Sequence, residues 1–135
     1  MPNQKELALK TLWILWGVLT YTVLIYGLIG YLLQRFGSLP PQPEFLGMLT
    51  QLFAGLGIAE TFFLFFAAPR FLAKAGYTLY CIIRWSCAEA IAIYGLILFV
   101  LAGPWLIFGS FLGWAFALFL LLMPTQSDQD RYLGT

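Results

Sequence analysis

The segment RWSCAEAIAIYGLILFVLAG, residues 84–103, decides the fold class, because only two of its twenty residues are charged. A run of about 20 mostly apolar residues is long enough to cross a bilayer as a helix. The whole chain is 61% hydrophobic and 10% charged, whereas soluble domains are about 45–50% apolar and about 25% charged. A soluble protein of 135 residues could not bury so much apolar surface. The sequence therefore predicts an integral membrane protein.

Three further apolar segments predict an all-α fold, an integral membrane bundle of four antiparallel transmembrane helices in a single domain. The expected helices cover about residues 11–33, 46–68, 77–102 and 105–123, and a loosely ordered polar tail covers residues 124–135. We expect Pro69 to end the second helix, since proline cannot continue the helical hydrogen bonding. Gly103 and Pro104 separate the third helix from the fourth.

The basic residues predict the orientation of these helices. Four spans place Lys5, Lys10, Arg70, Lys74, Arg84 and Arg131 toward one side, and only Arg35 toward the other. Short cytoplasmic loops carry an excess of Lys and Arg. We therefore expect both termini to lie in the cytoplasm.

The composition also excludes several kinds of site. The chain has no histidine, so a His-ligated haem or a His-bearing metal site is impossible, and we expect neither a metal nor a cofactor. A net charge of +1 offers no basic surface for a nucleic acid.

Cys81 and Cys87 would lie about 9 Å apart along a helix, which is too far for a disulfide. The abundant aromatic side chains suit peripheral contacts with lipid, quinone or pigment tails.

Three ionisable residues fall inside the expected spans, namely Glu60, Arg84 and Glu89. Each costs about 2.5–3.5 kcal/mol at a helix centre, so each needs a partner or a purpose. Glu60 and Arg84 both lie about twelve residues from the expected centre of the turn between the second and third helices. Equal depth predicts a structural ion pair between them. The alternative is that Arg84 extends to the membrane surface and leaves Glu60 protonated.

Glu89 lies five residues beyond Arg84, about 140° further round the helix, so the two do not share a face. One arginine cannot neutralise two carboxylates, which makes Glu89 a candidate protonatable site near the membrane midplane. The alternative is that a protonated Glu89 donates to a backbone carbonyl or to Ser86 and only fixes the packing.

Small residues four apart predict close helix contacts, because packing rather than the hydrophobic effect joins helices in lipid. Three such pairs occur in the expected spans: Gly55 with Ala59, Ala88 with Ala92, and Gly109 with Gly113. Gly57 lies within the first pair and is expected to take part in the same contact.

The segment AEAIAIYGLIL, residues 88–98, resembles the carboxylate helix of proteolipid subunit c of rotary ATPases, in which an intramembrane Glu precedes a similar Ile-Tyr-Gly-Leu run. This resemblance implies that Glu89 carries protons. The second helix lacks the glycine ladder of that family, and Arg84 is foreign to its site. Over most of its length the chain also resembles small four-helix bacterial membrane proteins of unassigned function with an Arg…Ala-Glu-Ala segment. That resemblance implies a bacterial inner membrane and no particular activity.

Three functions remain open at this stage. The first is a non-catalytic accessory or scaffold subunit of a larger, energy-converting membrane complex, whose partners are other membrane subunits and the lipid bilayer. The second is a proton- or ion-translocating proteolipid that uses Glu89. The third is a small transporter, which would need a water-accessible cavity around Glu60, Arg84 and Glu89. An enzyme is not expected, because one Arg and two Glu provide no nucleophile and base.

Overall fold

The computed structural model describes residues 4–37, 41–72, 74–101 and 103–134. Five helices cover most of them: α1 (Gln4–Phe36), α2 (Leu46–Phe71), α3 (Tyr77–Val100), α4 (Trp105–Leu121) and α5 (Gln126–Leu133). The predicted all-α class is confirmed. The predicted third helix and polar tail end at Ala102 and Thr135, which lie outside the described residues.

Helices α1, α2 and α3 are each long and apolar enough to cross a membrane. Helix α4 reaches the required length only together with α5, to which it is joined at a bend of 72°. The chain therefore has three to four helices suited to crossing a membrane, which is the character of a multi-pass membrane protein.

Helix α3 is the centre of the bundle, and α1, α2 and α4 each pack against it. In their most apolar stretches, 44% of the residues of α3 are buried, against 11% for α1 and 17% for α2. Helix α4 runs antiparallel to α3, since the end of α4 lies beside the start of α3. The indole Nε1 of Trp85, near the start of α3, donates to the carbonyl of Leu122, just past the end of α4, at 2.9 Å. Trp16 of α1 donates to the Phe119 carbonyl at 2.8 Å. The two indoles thus satisfy carbonyls that the end of α4 would leave without partners.

The predicted end of the second helix is wrong, because α2 continues through Pro69 to Phe71. Just before Pro69, residues Phe63–Ala67 form a π-helical turn. This turn shifts the backbone hydrogen bonds from the α pattern, so that the Ala68 N–H donates to the Phe63 carbonyl. The missing N–H of Pro69 then falls in the first turn of a renewed α segment, where proline is tolerated.

The predicted loosely ordered tail is wrong, because residues 126–133 form helix α5 across the end of the bundle where α2 ends and α3 begins. We call this end the inner end, after the cytoplasmic orientation that the basic residues predict. Thr125 caps this helix, since its Oγ1 accepts a hydrogen bond from the Asp128 N–H at 3.1 Å. Tyr132 is buried, and its hydroxyl donates to the Leu72 carbonyl at 2.7 Å and accepts from the Gly76 N–H at 3.1 Å. The tail is therefore fastened to the turn between α2 and α3.

Candidate functional site

A group of polar and aromatic side chains at the inner end of the bundle surrounds Arg84, which is only 3% exposed. We call this group the inner polar cluster; it consists of Tyr77, Tyr80, Arg84, Asp128 and Tyr132. Arg84 Nη1 donates to Asp128 Oδ2 at 3.3 Å in a salt bridge, and the Tyr77 hydroxyl donates to the same oxygen at 2.7 Å. The guanidinium carbon of Arg84 lies 4.5 Å from the centre of the Tyr80 ring, at cation–π distance.

The predicted ion pair between Glu60 and Arg84 is wrong, because Arg84 pairs with Asp128 instead. Two features of the hairpin explain this. The turn is centred near residue 74, so Glu60 lies fourteen residues from it and Arg84 only ten, a depth difference of about 6 Å. Side chains also lean toward the N-terminus of their helix. In an antiparallel hairpin Glu60 therefore leans away from the turn and Arg84 leans toward it, where α5 supplies Asp128.

Glu60 is held by Tyr94 of α3, whose hydroxyl donates to Glu60 Oε1 at 2.6 Å. The Tyr94 ring is stacked on Phe53 of α2, with the ring centres 4.8 Å apart. The other carboxyl oxygen, Glu60 Oε2, is buried and has no hydrogen-bond partner among the described residues. The carboxyl of Glu60 is thus bound to α3 through one oxygen.

Glu89 is half-buried on the side of α3 that faces α1, where the Tyr26 hydroxyl of α1 donates to Glu89 Oε1 at 3.0 Å. The hydrogen-bond partner that the described residues give Glu89 is therefore Tyr26, rather than Ser86 or a backbone carbonyl. Ser86 Oγ instead donates to the Ile82 carbonyl at 2.8 Å. Ser86 lies three residues earlier on an exposed face of α3. Glu89 is reached by α1 because it points to a different side of the helix from Arg84.

Arg84, Glu89 and Tyr94 follow one another at intervals of five residues along α3. Each interval turns the helix by about 140° and advances it by about 7.5 Å. The three side chains therefore address three different sides of α3: Arg84 faces α5, Glu89 faces α1 and Tyr94 faces α2. Helices α5, α1 and α2 thus each supply a polar partner to one of these three side chains.

Three partner residues were not predicted from the sequence, namely Tyr26, Tyr94 and Asp128. A signal for Asp128 was present in Thr125-Gln-Ser-Asp128, since a Thr followed three residues later by an acidic residue is typical of a helix start. The two tyrosines could have been suspected, because a tyrosine deep in a span needs an acceptor for its hydroxyl.

The predicted small-residue contacts divide into two groups. Ala88 and Ala92 are fully buried in α3, and a Cβ on Gly57 would lie 2.7 Å from the Trp114 ring, so these residues allow close packing within the chain. The other group consists of Gly55, Ala59, Gly109 and Gly113, which are exposed on the outer faces of α2 and α4. Apart from the adjacent residues and the nearby backbone of the same helix, no heavy atom of the described residues lies within 4 Å of a Cβ built on Gly55, Gly109 or Gly113.

A cavity of about 250 Å³ opens beside the inner polar cluster, between the end of α2, the start of α3, the end of α4 and α5. Its polar lining consists of Tyr80, Arg84, Asp128, Arg131 and Tyr132. Neither Glu60 nor Glu89 lines it.

Both cysteines are free thiols, with Cys81 buried and Cys87 half-buried.

No family model, curated protein or solved structure matches this chain. The resemblance of the Glu89 segment to proteolipid subunit c therefore stays a prediction. Functional inference rests on the contacts, burial and charges of the chain itself.

Proposed function

We propose that this chain is a non-catalytic accessory or scaffold subunit of a larger, energy-converting membrane complex. It would lie in a bacterial inner membrane with both termini in the cytoplasm, as the distribution of basic residues favours. The proposal rests on one tyrosine hydroxyl in the middle of α1, for which the described residues provide no acceptor.

Tyr21 occupies the centre of α1 and is 64% exposed, on a side of the helix that no other part of the described chain covers. No described residue forms a hydrogen bond with its hydroxyl. The centre of a spanning helix lies about 15 Å from either edge of the hydrocarbon core, which is too far for a tyrosine side chain to reach water. A hydroxyl in hydrocarbon without a partner costs about 1–3 kcal/mol. A helix of another subunit would supply the missing acceptor.

The outward-facing small residues support the same proposal. Gly109 and Gly113 on α4, and Gly55 and Ala59 on α2, lie on exposed surfaces with open space next to the glycines. Helices in lipid associate through such residues, because they allow two backbones to approach closely. Within the described chain they serve no contact of this kind, so they favour contacts with a second protein.

The test is purification of the tagged protein from its native membrane in mild detergent, followed by mass spectrometry. We expect larger membrane subunits at one copy each. Tyr21→Phe should lower their recovery about fivefold or more, which corresponds to about 1 kcal/mol for a lost hydrogen bond. Tyr31→Phe is the matched control, because Tyr31 is an exposed tyrosine near the end of the same helix, where its hydroxyl reaches the interface.

Equal recovery of partners with both variants would contradict the role assigned to Tyr21. A pure, monodisperse single copy, or a ring of identical copies, would contradict the accessory function. A ring would instead favour the proteolipid alternative, for which Glu89→Gln should abolish proton movement and reaction with a hydrophobic carbodiimide. The transporter alternative predicts pH-dependent uptake that Glu89→Gln removes.

A further inference from the structure

We propose that the cavity beside the inner polar cluster binds the phosphodiester headgroup of an anionic membrane lipid. This inference does not depend on the accessory function, because it uses only the lining of the cavity and its position at the end of the spanning helices. The cavity measures about 250 Å³ and is partly open to the surface. It has the room of roughly eight water molecules at ~30 Å³ each, which suits a headgroup rather than a whole lipid.

The charges of the lining select the class of ligand. Arg84 and Arg131 contribute two positive charges and Asp128 contributes one negative charge, so the ionised lining carries +2 − 1 = +1. A phosphodiester carries one negative charge and complements this lining. Arg131 is exposed and forms no ion pair with a described residue, so its guanidinium is available to an anion.

An unpartnered nitrogen of Arg84 also points to a ligand, independently of the charge of the lining. Its side chain is 3% exposed and lines the cavity, yet its Nε has no hydrogen-bond partner among the described residues. Buried donors without a partner are uncommon and require an explanation. Asp128 does not supply one, because it contacts Arg84 at Nη1 and not at Nε. A phosphate oxygen is a strong acceptor for a guanidinium, because both groups are charged.

The apolar part of the lining favours a lipid over a free phosphate ion. The apolar lining includes Leu64, Phe65 and Leu121. Leu121 is 70% exposed and Phe65 is also exposed, so the apolar lining reaches the outer surface of the bundle. An acyl chain could lie along these residues while its phosphate contacts the guanidinium groups. Anionic lipids also concentrate in the inner leaflet, where the inner end is expected to lie.

The experiment uses the full chain purified in a zwitterionic detergent and measures lipid binding by native mass spectrometry and by thermal stabilisation. The probes are phosphatidylglycerol, phosphatidylcholine and inorganic phosphate. We expect phosphatidylglycerol to bind at one copy, and the other two probes to bind at least tenfold more weakly. Arg131→Gln should weaken phosphatidylglycerol binding about fivefold or more, as one lost cationic contact implies. Arg84→Lys keeps the charge but removes Nε, and should also weaken binding.

Lys74→Gln is the matched control, because Lys74 is an exposed cation in the turn between α2 and α3 and does not line the cavity. We expect this variant to retain binding within twofold of the wild-type chain. A loss equal to that of Arg131→Gln would overturn the site in favour of general surface attraction. Equal binding of phosphatidylcholine would overturn charge selection, and equal stabilisation by inorganic phosphate would overturn the assignment to a lipid.

Discussion

Replacing Asp128 by Asn tests whether the tail holds the buried charge of Arg84. The substitution keeps the shape of the side chain but removes the negative charge that lies 3.3 Å from Arg84 Nη1. Removing one partner of a fully buried ion pair costs about 3–5 kcal/mol, because the other charge is left buried without compensation. Asp128 is 23% exposed, and the Tyr80 ring still contacts the guanidinium. We therefore expect a loss of about 2–3 kcal/mol in the free energy of unfolding.

The assay is equilibrium unfolding of the purified chain in a zwitterionic detergent, followed by tryptophan fluorescence. Asp130→Asn is the matched control, because Asp130 is an exposed carboxylate of the same helix without an ion pair among the described residues. It should change stability by less than about 0.5 kcal/mol. Combining Asp128→Asn with Arg84→Met should cost less than the sum of the two single changes, by at least about 1 kcal/mol. Equal effects of Asp128→Asn and Asp130→Asn would refute the reasoning.

Two further predictions concern the other contacts of α3. Tyr94→Phe removes the one hydrogen bond that the described residues make to the Glu60 carboxyl, and should destabilise the chain by about 1–3 kcal/mol in the same unfolding assay. Gly95→Ala would place a Cβ 2.5 Å from that of Phe111 and should cost about 1–3 kcal/mol through overpacking. Gly109→Ala is its control and should leave stability unchanged or slightly raised, since its Cβ meets nothing within 4 Å. A harmless Gly95→Ala would contradict the close approach of α3 and α4.

The long apolar runs were sufficient to predict the all-α class and a multi-pass membrane protein, because a span is fixed by local composition. The continuation of α2 past Pro69 could not be predicted in this way. It depends on the π-helical turn over Phe63–Ala67, which has no simple sequence signature. The helix α5 was missed because its polar composition suggested a loose tail, although Thr125 and Asp128 carry a capping pattern.

The partners of the charged residues were harder to predict than the charges themselves. Counting residues from a turn estimates depth, but it ignores the direction in which each side chain leans. That direction separates Glu60 from Arg84 and brings Glu60 to Tyr94, which lies further along α3. Asp128 is distant in sequence and reaches Arg84 only because the chain bends by 72° between α4 and α5.

The five-residue spacing of Arg84, Glu89 and Tyr94 explains how α3 organises a bundle in which α1 and α2 bury only 11% and 17% of their most apolar stretches. In lipid the hydrophobic effect does not draw helices together, so polar contacts and close packing decide their arrangement. Each contact of α3 fixes the depth and rotation of one neighbour, and each uses a group that would be costly without a partner. Tyr21 is central in α1, yet the described chain gives it no such contact. We therefore propose that the Tyr21 hydroxyl finds its acceptor on another subunit, as the accessory function predicts.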